Sequence, residues 1–144
     1  MSLRNPSTPP QSVVPVLVYD DVRIAVGWLT RVFGFTERVR INEHRAQLAF
    51  GDGAVIVADA THGRGPLAPD AAVTHSVLVR VRGIDAHYRN VGAAGADVRS
   101  EPTDQPFGER QYSVVDPGGH LWTFTESVAE LRPEDWGGNT VTEW

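Results

Sequence analysis

The sequence contains no cysteine among its 144 residues. Disulfides, thiolate zinc sites and cysteine nucleophiles are therefore excluded. Positive charge is also scarce: 13 Lys and Arg residues stand against 18 Asp and Glu residues, for a formal net charge of −5. Without a long basic run, neither a nucleic-acid surface nor a surface for anionic membranes is expected. No apolar run approaches the length needed to span a bilayer, so no membrane partner is expected either.

The composition that remains is that of an ordinary globular domain. Hydrophobic residues make up 41% and charged residues 22% of the chain. A chain of this length can bury a hydrophobic core without disulfides or a structural metal ion. Residues 1–12 are rich in Pro and Ser and lack an apolar core, so we expect a flexible leader rather than a signal peptide. Together with the absence of cysteine, this favours a cytoplasmic location.

The stretch with the strongest local signal is 112–126, YSVVDPGGHLWTFTE. Its Asp-Pro-Gly-Gly segment is typical of a tight turn between two β-strands. After the turn, Leu121 and Thr123 share one face, whereas Trp122 and Phe124 share the other. We expect the aromatic face to pack on a helix and the Leu/Thr face to line a cavity.

The chain reads as two copies of a β-α-β-β-β unit. Repeat 1 covers 13–59 and repeat 2 covers 75–126, joined by a Gly/Pro/Ala-rich linker over 60–74. Helices are predicted over 22–33 and 84–93, and each ends close to a glycine that can close it. The apolar residues expected on the buried side of the first helix are Ile24, Ala25, Trp28, Leu29 and Val32. Strands are predicted over 13–19, 36–41, 45–50, 54–59, 76–81, 97–100, 109–115 and 120–126. The repeat predicts an α+β protein in which a curved mixed sheet encloses a cup-shaped cavity, with the helices outside.

The C-terminal extension, 127–144, lies outside both repeats and carries Trp136 and Trp144. Two interpretations stay open. The extension is either a loosely docked tail or an arm that packs on a neighbouring subunit, since exposed tryptophans seldom stay in water.

Three segments resemble the vicinal oxygen chelate superfamily, which includes glyoxalase I, extradiol dioxygenases and bleomycin-resistance proteins. They are 19–35 around a helix that ends in VFGF, 92–96 (GAAGA), and 116–124 (DPGGHLWTF). The last is most similar to the bleomycin-resistance-like branch. The resemblance implies the paired-repeat fold, a small-molecule ligand in the sheet cavity, and a homodimer.

The resemblance also implies where a metal would bind, because metal-dependent members use His and Glu from four symmetric strand positions. Carried over by register, these positions are Val14, Val57, Ser76 and Thr123. Valine cannot ligate, and neutral hydroxyls are poor ligands, so no metal cofactor is expected. His75 and Glu126 are plausible ligands that lie off register, and a β-bulge would be needed to turn His75 inward. One divalent ion on these two residues is therefore the alternative.

The remaining candidates would complete a ligand pocket. Arg110, on a strand expected to rim the cup, can clamp a carboxylate or phosphate, and Gln47, Gln111 and Ser113 can supply amides and a hydroxyl.

The leading hypothesis is a metal-free protein that binds a drug or metabolite in the cavity. The alternative is a metal-dependent lyase, isomerase or dioxygenase, so the sequence leaves open whether the protein is an enzyme. A scaffold without a ligand is a third possibility. The predicted pocket residues are Val14, Gln47, Val57, Ser76, Arg110, Leu121 and Thr123.

Overall fold

The structure is a computed structural model that describes residues 3–62 and 73–144. Most of the predicted linker, 60–74, lies outside the described residues. The fold comprises two compact units. One contains Met1–Thr74 and Pro117–His120, and the other contains His75–Asp116 and Leu121–Trp144.

The first unit is a four-stranded sheet with one helix. Strand β1 runs parallel to β4, β4 is antiparallel to β3, and β3 is antiparallel to β2, which gives the order β1-β4-β3-β2. The elements are β1 Val16–Val18, α1 Val22–Trp28, a π-helical turn Leu29–Phe33, β2 Thr36–Ile41, β3 Arg45–Phe50, β4 Gly53–Ala58 and a 3₁₀ turn Ala60–His62.

Helix α1 begins where Asp21 caps it, since the Asp21 side chain accepts a hydrogen bond from the backbone N–H of Ile24 at 3.0 Å. The predicted helix over 22–33 widens into a π turn at residue 29. There the Thr30 hydroxyl donates to the carbonyl of Val26 at 2.8 Å, and a side chain that competes for helix carbonyls favours such a turn. Gly34, with φ of 93°, closes the segment, because only glycine adopts this conformation without strain.

The buried stripe of this helical segment differs from the predicted one. Ile24 was assigned to the apolar face but is 68% exposed. Trp28, also expected in the core, is only partly buried, although its ring packs edge-on against Phe33 at 4.7 Å. The helical period explains the difference. Residues three and four apart share one face of a helix, and the face that contains Val22 does not include position 24. The residues that are buried are Val22, Ala25, Val26, Leu29, Val32 and Phe33.

The second unit repeats the topology. Its sheet has the order β5-β9-β8-β6, with β7 also paired to β8, and its first strand β5 runs parallel to its last strand β9. The elements are β5 Val77–Arg80, α2 Ile84–Ala93, β6 Asp97–Val98, β7 Thr103–Asp104, β8 Glu109–Val115, β9 Leu121–Ser127 and a 3₁₀ turn Pro133–Asp135.

Both units therefore confirm the predicted α+β class and the β-α-β-β-β order. Two strands differ from the prediction. The expected strand over 13–19 shrinks to Val16–Val18, since Pro15 has no N–H for the sheet and contributes only its carbonyl, to Ile56 N at 2.9 Å. The expected strand over 97–100 is shorter, and a second short strand, Thr103–Asp104, follows it.

The start of the C-terminal extension is attached to the second unit. The backbone N–H of Val128 donates to the carbonyl of Gly108 at 2.9 Å, and the Trp136 ring lies 5.6 Å from that of Phe107. Trp144, in contrast, is fully exposed on the described chain. Whether it meets a second subunit stays a prediction.

Candidate functional site

One face of the second sheet is an aromatic layer that packs on α2. Tyr112 and Phe124 are fully buried, and His87 of α2 contacts both of them. The His87 Nδ1 lies 2.5 Å from the Tyr112 hydroxyl, and the His87 ring lies 4.4 Å from that of Phe124. Burial raises the pKa of Tyr112, so the phenol stays protonated at neutral pH. Trp122 shares this face with Phe124, which confirms its predicted burial against the helix.

The opposite face of the same sheet is lined with hydroxyls, an amide and one ion pair. Strand register places these side chains together, because Gln111 lies opposite Thr125 and Ser113 opposite Thr123, while Arg80 of β5 neighbours Thr125. We call this surface the polar face. It consists of Arg80, Glu109, Gln111, Ser113, Thr123, Thr125 and Ser127.

Glu109, at one end of the polar face, accepts most of its charged hydrogen bonds. Its carboxylate accepts hydrogen bonds from Arg80 Nη1 at 2.7 Å, from the Thr125 hydroxyl at 2.8 Å and from the Ser127 hydroxyl at 2.5 Å. Arg80 also donates to the Ser127 hydroxyl at 2.8 Å. The carboxylate is thus fixed by three donors on two neighbouring strands.

The charge on Glu109 is stable at neutral pH. Burial opposes its ionisation, but hydrogen bonds from Ser127 and Thr125, together with the Arg80 guanidinium, outweigh that cost and lower the pKa of Glu109. Its side chain is 15% exposed, whereas that of Arg80 is 60% exposed. Glu109 therefore acts as an acceptor rather than as a proton donor, and Arg80 presents further donors to solvent.

Further along the polar face the hydrogen bonds are between neutral groups. The Ser113 and Thr123 hydroxyls lie 2.9 Å apart, and Gln111 Nε2 donates to the Thr125 hydroxyl at 3.2 Å. Thr125 is fully buried, whereas Ser113 and Thr123 are partly exposed. A hydroxyl can donate and accept at once, so the partly exposed pair keeps hydrogen-bonding capacity for a ligand.

The structure distributes the predicted pocket residues of the second repeat over both faces. Leu121 and Thr123 lie on the side of the polar face, and Ser76 is exposed directly before β5. Arg110 does not lie on the side of the polar face. Its Nε donates to Asp85 of α2 at 2.9 Å and its Nη1 donates to Asp104 at 3.0 Å, so Arg110 lies on the helix side of the sheet.

Arg110 therefore lies on the opposite side of the sheet from the polar face, and its neighbour Glu109 is the residue that lies on that face. The alternation of side chains along β8 predicts this placement from the sequence. Arg110 is two residues before the buried Tyr112, so the two side chains lie on the same face of the strand. The same alternation from Thr123 identifies Thr125. No sequence signal indicates Arg80, whose role depends on the parallel pairing of β5 with β9.

In the first repeat, Val57 also lies on the helix side rather than on a pocket wall. Arg23 of α1 pairs with Glu37 at 2.8 Å, and Glu37 lies opposite Leu48 on β3, so α1 covers the Leu48 face. Val57 belongs to this face and is fully buried. The residue on the other face of β4 is its neighbour Ile56.

Val14 and Gln47 are close to the N-terminal leader. Val14 precedes β1 and is partly buried. Gln47 faces away from α1, and its Nε2 donates to the carbonyl of Ser7 at 2.9 Å. The Gln11 side chain likewise donates to the carbonyl of Asp52 at 3.0 Å. The described part of the leader is thus attached to the first sheet at two points.

Glu126, one of the two residues of the alternative metal site, is hydrogen-bonded to the start of α2. Both Glu126 carboxylate oxygens accept backbone hydrogen bonds at the start of α2, from Ile84 N at 3.0 Å and from Gly83 N at 2.8 Å. These two bonds lower the pKa of Glu126. Its carboxylate therefore caps a helix, whereas His75 lies in the exposed segment before β5. Over residues 3–62 and 73–144, no group of three His, Cys, Asp or Glu side chains is positioned to hold a metal ion.

Two paired β-α-β-β-β units, each with its first strand parallel to its last, define a class of α+β fold. The chain belongs to the glyoxalase/bleomycin resistance protein/dioxygenase superfamily, whose family model matches residues 12–124. No helix within the described residues is long and apolar enough to cross a membrane.

The chain is also similar to proteins and solved structures from several bacteria. The crystal structure of TioX from Micromonospora sp. ML1 is 38% identical, covers 81% of this chain and 98% of its own, and superposes with a TM-score of 0.66. An uncharacterized protein of Mycobacterium tuberculosis is 27% identical over 84% of this chain and 77% of its own length. The fosfomycin resistance protein FosX of Listeria monocytogenes, solved with Mn(II) and sulfate, is 12% identical, covers 83% of this chain and 91% of its own, and has a TM-score of 0.65. This last likeness concerns the fold alone.

Proposed function

We propose that the protein binds a small drug or metabolite on the polar face of the second sheet, without a metal ion. The observation that carries this proposal is a fixed Glu109 carboxylate at one end of a sheet face that also carries the partly exposed hydroxyls of Ser113 and Thr123, opposite α2. A site that recognises a small molecule combines a few oriented polar groups with apolar walls. Leu121 and the exposed Leu78 supply apolar surface on this same side.

The donor set argues for binding rather than for metal-assisted chemistry. The polar face offers one carboxylate, already committed to three donors, and otherwise neutral oxygens and an amide. Catalytic metal sites usually keep three protein ligands. The alternative of a metal-dependent lyase, isomerase or dioxygenase would need His75 and Glu126, and Glu126 caps α2.

Affinity selection with mass spectrometry tests the proposal directly. The full chain is mixed with an extract of bacterial small molecules in the presence of EDTA, separated by gel filtration, and the retained compounds are identified. We expect at least one compound to be retained. A Thr123→Phe substitution, which would replace the hydroxyl beside Ser113 with a bulky ring, should abolish this retention.

Neighbouring residues on opposite faces provide the matched control. Glu109→Gln removes the fixed charge from the polar face and should weaken retention, whereas Arg110→Gln changes charge on the helix side and should leave it intact. Compounds retained only without EDTA would support the enzyme alternative. An extract from which nothing is retained would contradict the binding function.

We further propose that the protein is a cytoplasmic homodimer. The absence of cysteine supports the location. The dimer is supported by the exposed Trp144 and by β2, which lies at an open edge of the first sheet. We also propose that 13–126 forms one domain built from two repeats, with residues 1–12 as a leader and 127–144 as an extension.

A further inference from the structure

The edge strand β2 contains an irregularity that redirects one arginine. Glu37 lies opposite Leu48 and Val39 lies opposite Gln47, so Arg38 is an extra residue without a partner on β3. This is the geometry of a β-bulge, which re-aims a side chain and is common beside binding sites. Arg38 itself is exposed.

A cavity of about 450 Å³ lies beside the bulge, wholly within the first unit. Thr36 and Ala49 face each other across β2 and β3 at its wall. An added Cβ on Gly51 would meet nothing within 4 Å, so a ligand can approach this backbone closely. The lining residues are Gly34, Thr36, Arg38, Ala49, Phe50 and Gly51.

The guanidinium of Arg38 is available for a ligand, unlike those of its neighbours. Arg40 on the same strand and Arg23 on α1 both pair with Glu37 at 2.8 Å. Within residues 3–62 and 73–144, Arg38 forms no ion pair. A planar guanidinium in a cavity matches the two oxygens of a carboxylate, and the Thr36 hydroxyl adds a second donor.

We propose that this cavity binds a small carboxylic acid, with the carboxylate on Arg38 and Thr36 and a flat apolar body against Phe50. The side chains of Phe50 and Ala49 in the cavity wall favour this class of ligand over an inorganic anion, because an apolar side chain can pack only against an apolar part of the ligand. The site lies on the first sheet and does not depend on the function proposed for the polar face of the second.

Nuclear magnetic resonance of the full ¹⁵N-labelled chain tests the site with three probes at constant ionic strength. Benzoate carries both proposed features, benzamide has the same shape without charge, and inorganic phosphate has charge without the flat body. We expect benzoate to cause saturable shifts of the Gly34 and Gly51 amide signals. Benzamide and phosphate should bind at least about tenfold more weakly, since each lacks one of the two contacts.

Two arginine variants on one strand separate the site from general charge. Arg38→Gln should weaken benzoate binding at least about tenfold, whereas Arg40→Gln removes the same charge and should leave the affinity unchanged. If Arg38→Gln loses its folded spectrum, Thr36→Val decides, because loss of the hydroxyl should still weaken benzoate. Absence of saturable shifts, equal losses in both arginine variants, or equal binding of benzamide or phosphate would each refute the proposal.

Discussion

Replacing Trp122 should destabilise the second unit more than any other single tryptophan change. Its side chain is fully buried, and its indole N–H donates to the Asp116 carboxylate at 2.9 Å. Trp122→Ala removes a large core side chain, which costs about 3–5 kcal/mol. With a urea m-value of about 2 kcal/mol/M, the unfolding midpoint should fall by about 2 M. Trp122→Phe keeps most of the ring but loses the hydrogen bond to a charged group, which is worth about 1.5–3 kcal/mol.

The matched control is Trp136→Ala in the extension. Trp136 is 43% exposed and contacts Phe107, so its removal should cost about 1 kcal/mol or less. Urea titrations followed by far-UV circular dichroism compare the three variants with the wild type. If the midpoint of Trp122→Ala falls no further than that of Trp136→Ala, the assignment of the aromatic face to the core is wrong.

Four further outcomes are expected. A hydrogen bond from Arg40 is the main reason that the pKa of Glu37 falls from 4.5 to about 2. The stabilising effect of Glu37 should therefore be complete above pH 4.5 and decline towards pH 2, so urea midpoints of wild type and Glu37→Gln should converge in acid. Gly118→Ala would place its Cβ 2.4 Å from the Tyr19 ring and should cost about 1–3 kcal/mol, measured by thermal unfolding. Purified protein should contain well under one equivalent of metal by elemental analysis, with no shift of Tm on adding chelator, whereas stoichiometric metal lost in His75→Ala would promote the enzyme alternative. Light scattering at micromolar concentration should give the mass of a dimer, and a monomeric mass would contradict that prediction.

The sequence predicted the elements well because their signals are local. The strands Thr36–Ile41, Arg45–Phe50 and Glu109–Val115 and the helix Ile84–Ala93 agree with their predicted bounds. Alternation of side chains and glycine at helix ends depend only on neighbouring residues. The π turn at Leu29–Phe33 departs from the prediction, and at this point the Thr30 hydroxyl donates a hydrogen bond to the Val26 carbonyl within the helix.

The site was predicted less well because it depends on contacts between distant residues. Glu126 looks like a free carboxylate in the sequence, yet it caps a helix that begins 42 residues earlier. Arg80 looks like a surface charge, yet parallel pairing brings it to Glu109, 29 residues away. Neither contact has a local pattern.

Val57 was expected on a pocket wall for a different reason, which is an offset of one residue in the alignment of the two repeats. Aligning the two repeats by sequence pairs Val57 with Thr123, and Val14 with Ser76, but the strand register of the structure pairs Val57 differently. Val57 lies beside Leu17 of its parallel strand, as Phe124 lies beside Val79, and all four are buried. The equivalent of Thr123 is then Ile56, which lies beside Val16 as Thr123 lies beside Leu78. A shift of one residue exchanges the two faces of a strand. The first repeat therefore presents isoleucine where the second presents threonine, and this asymmetry confines the hydroxyl-lined surface to the second sheet.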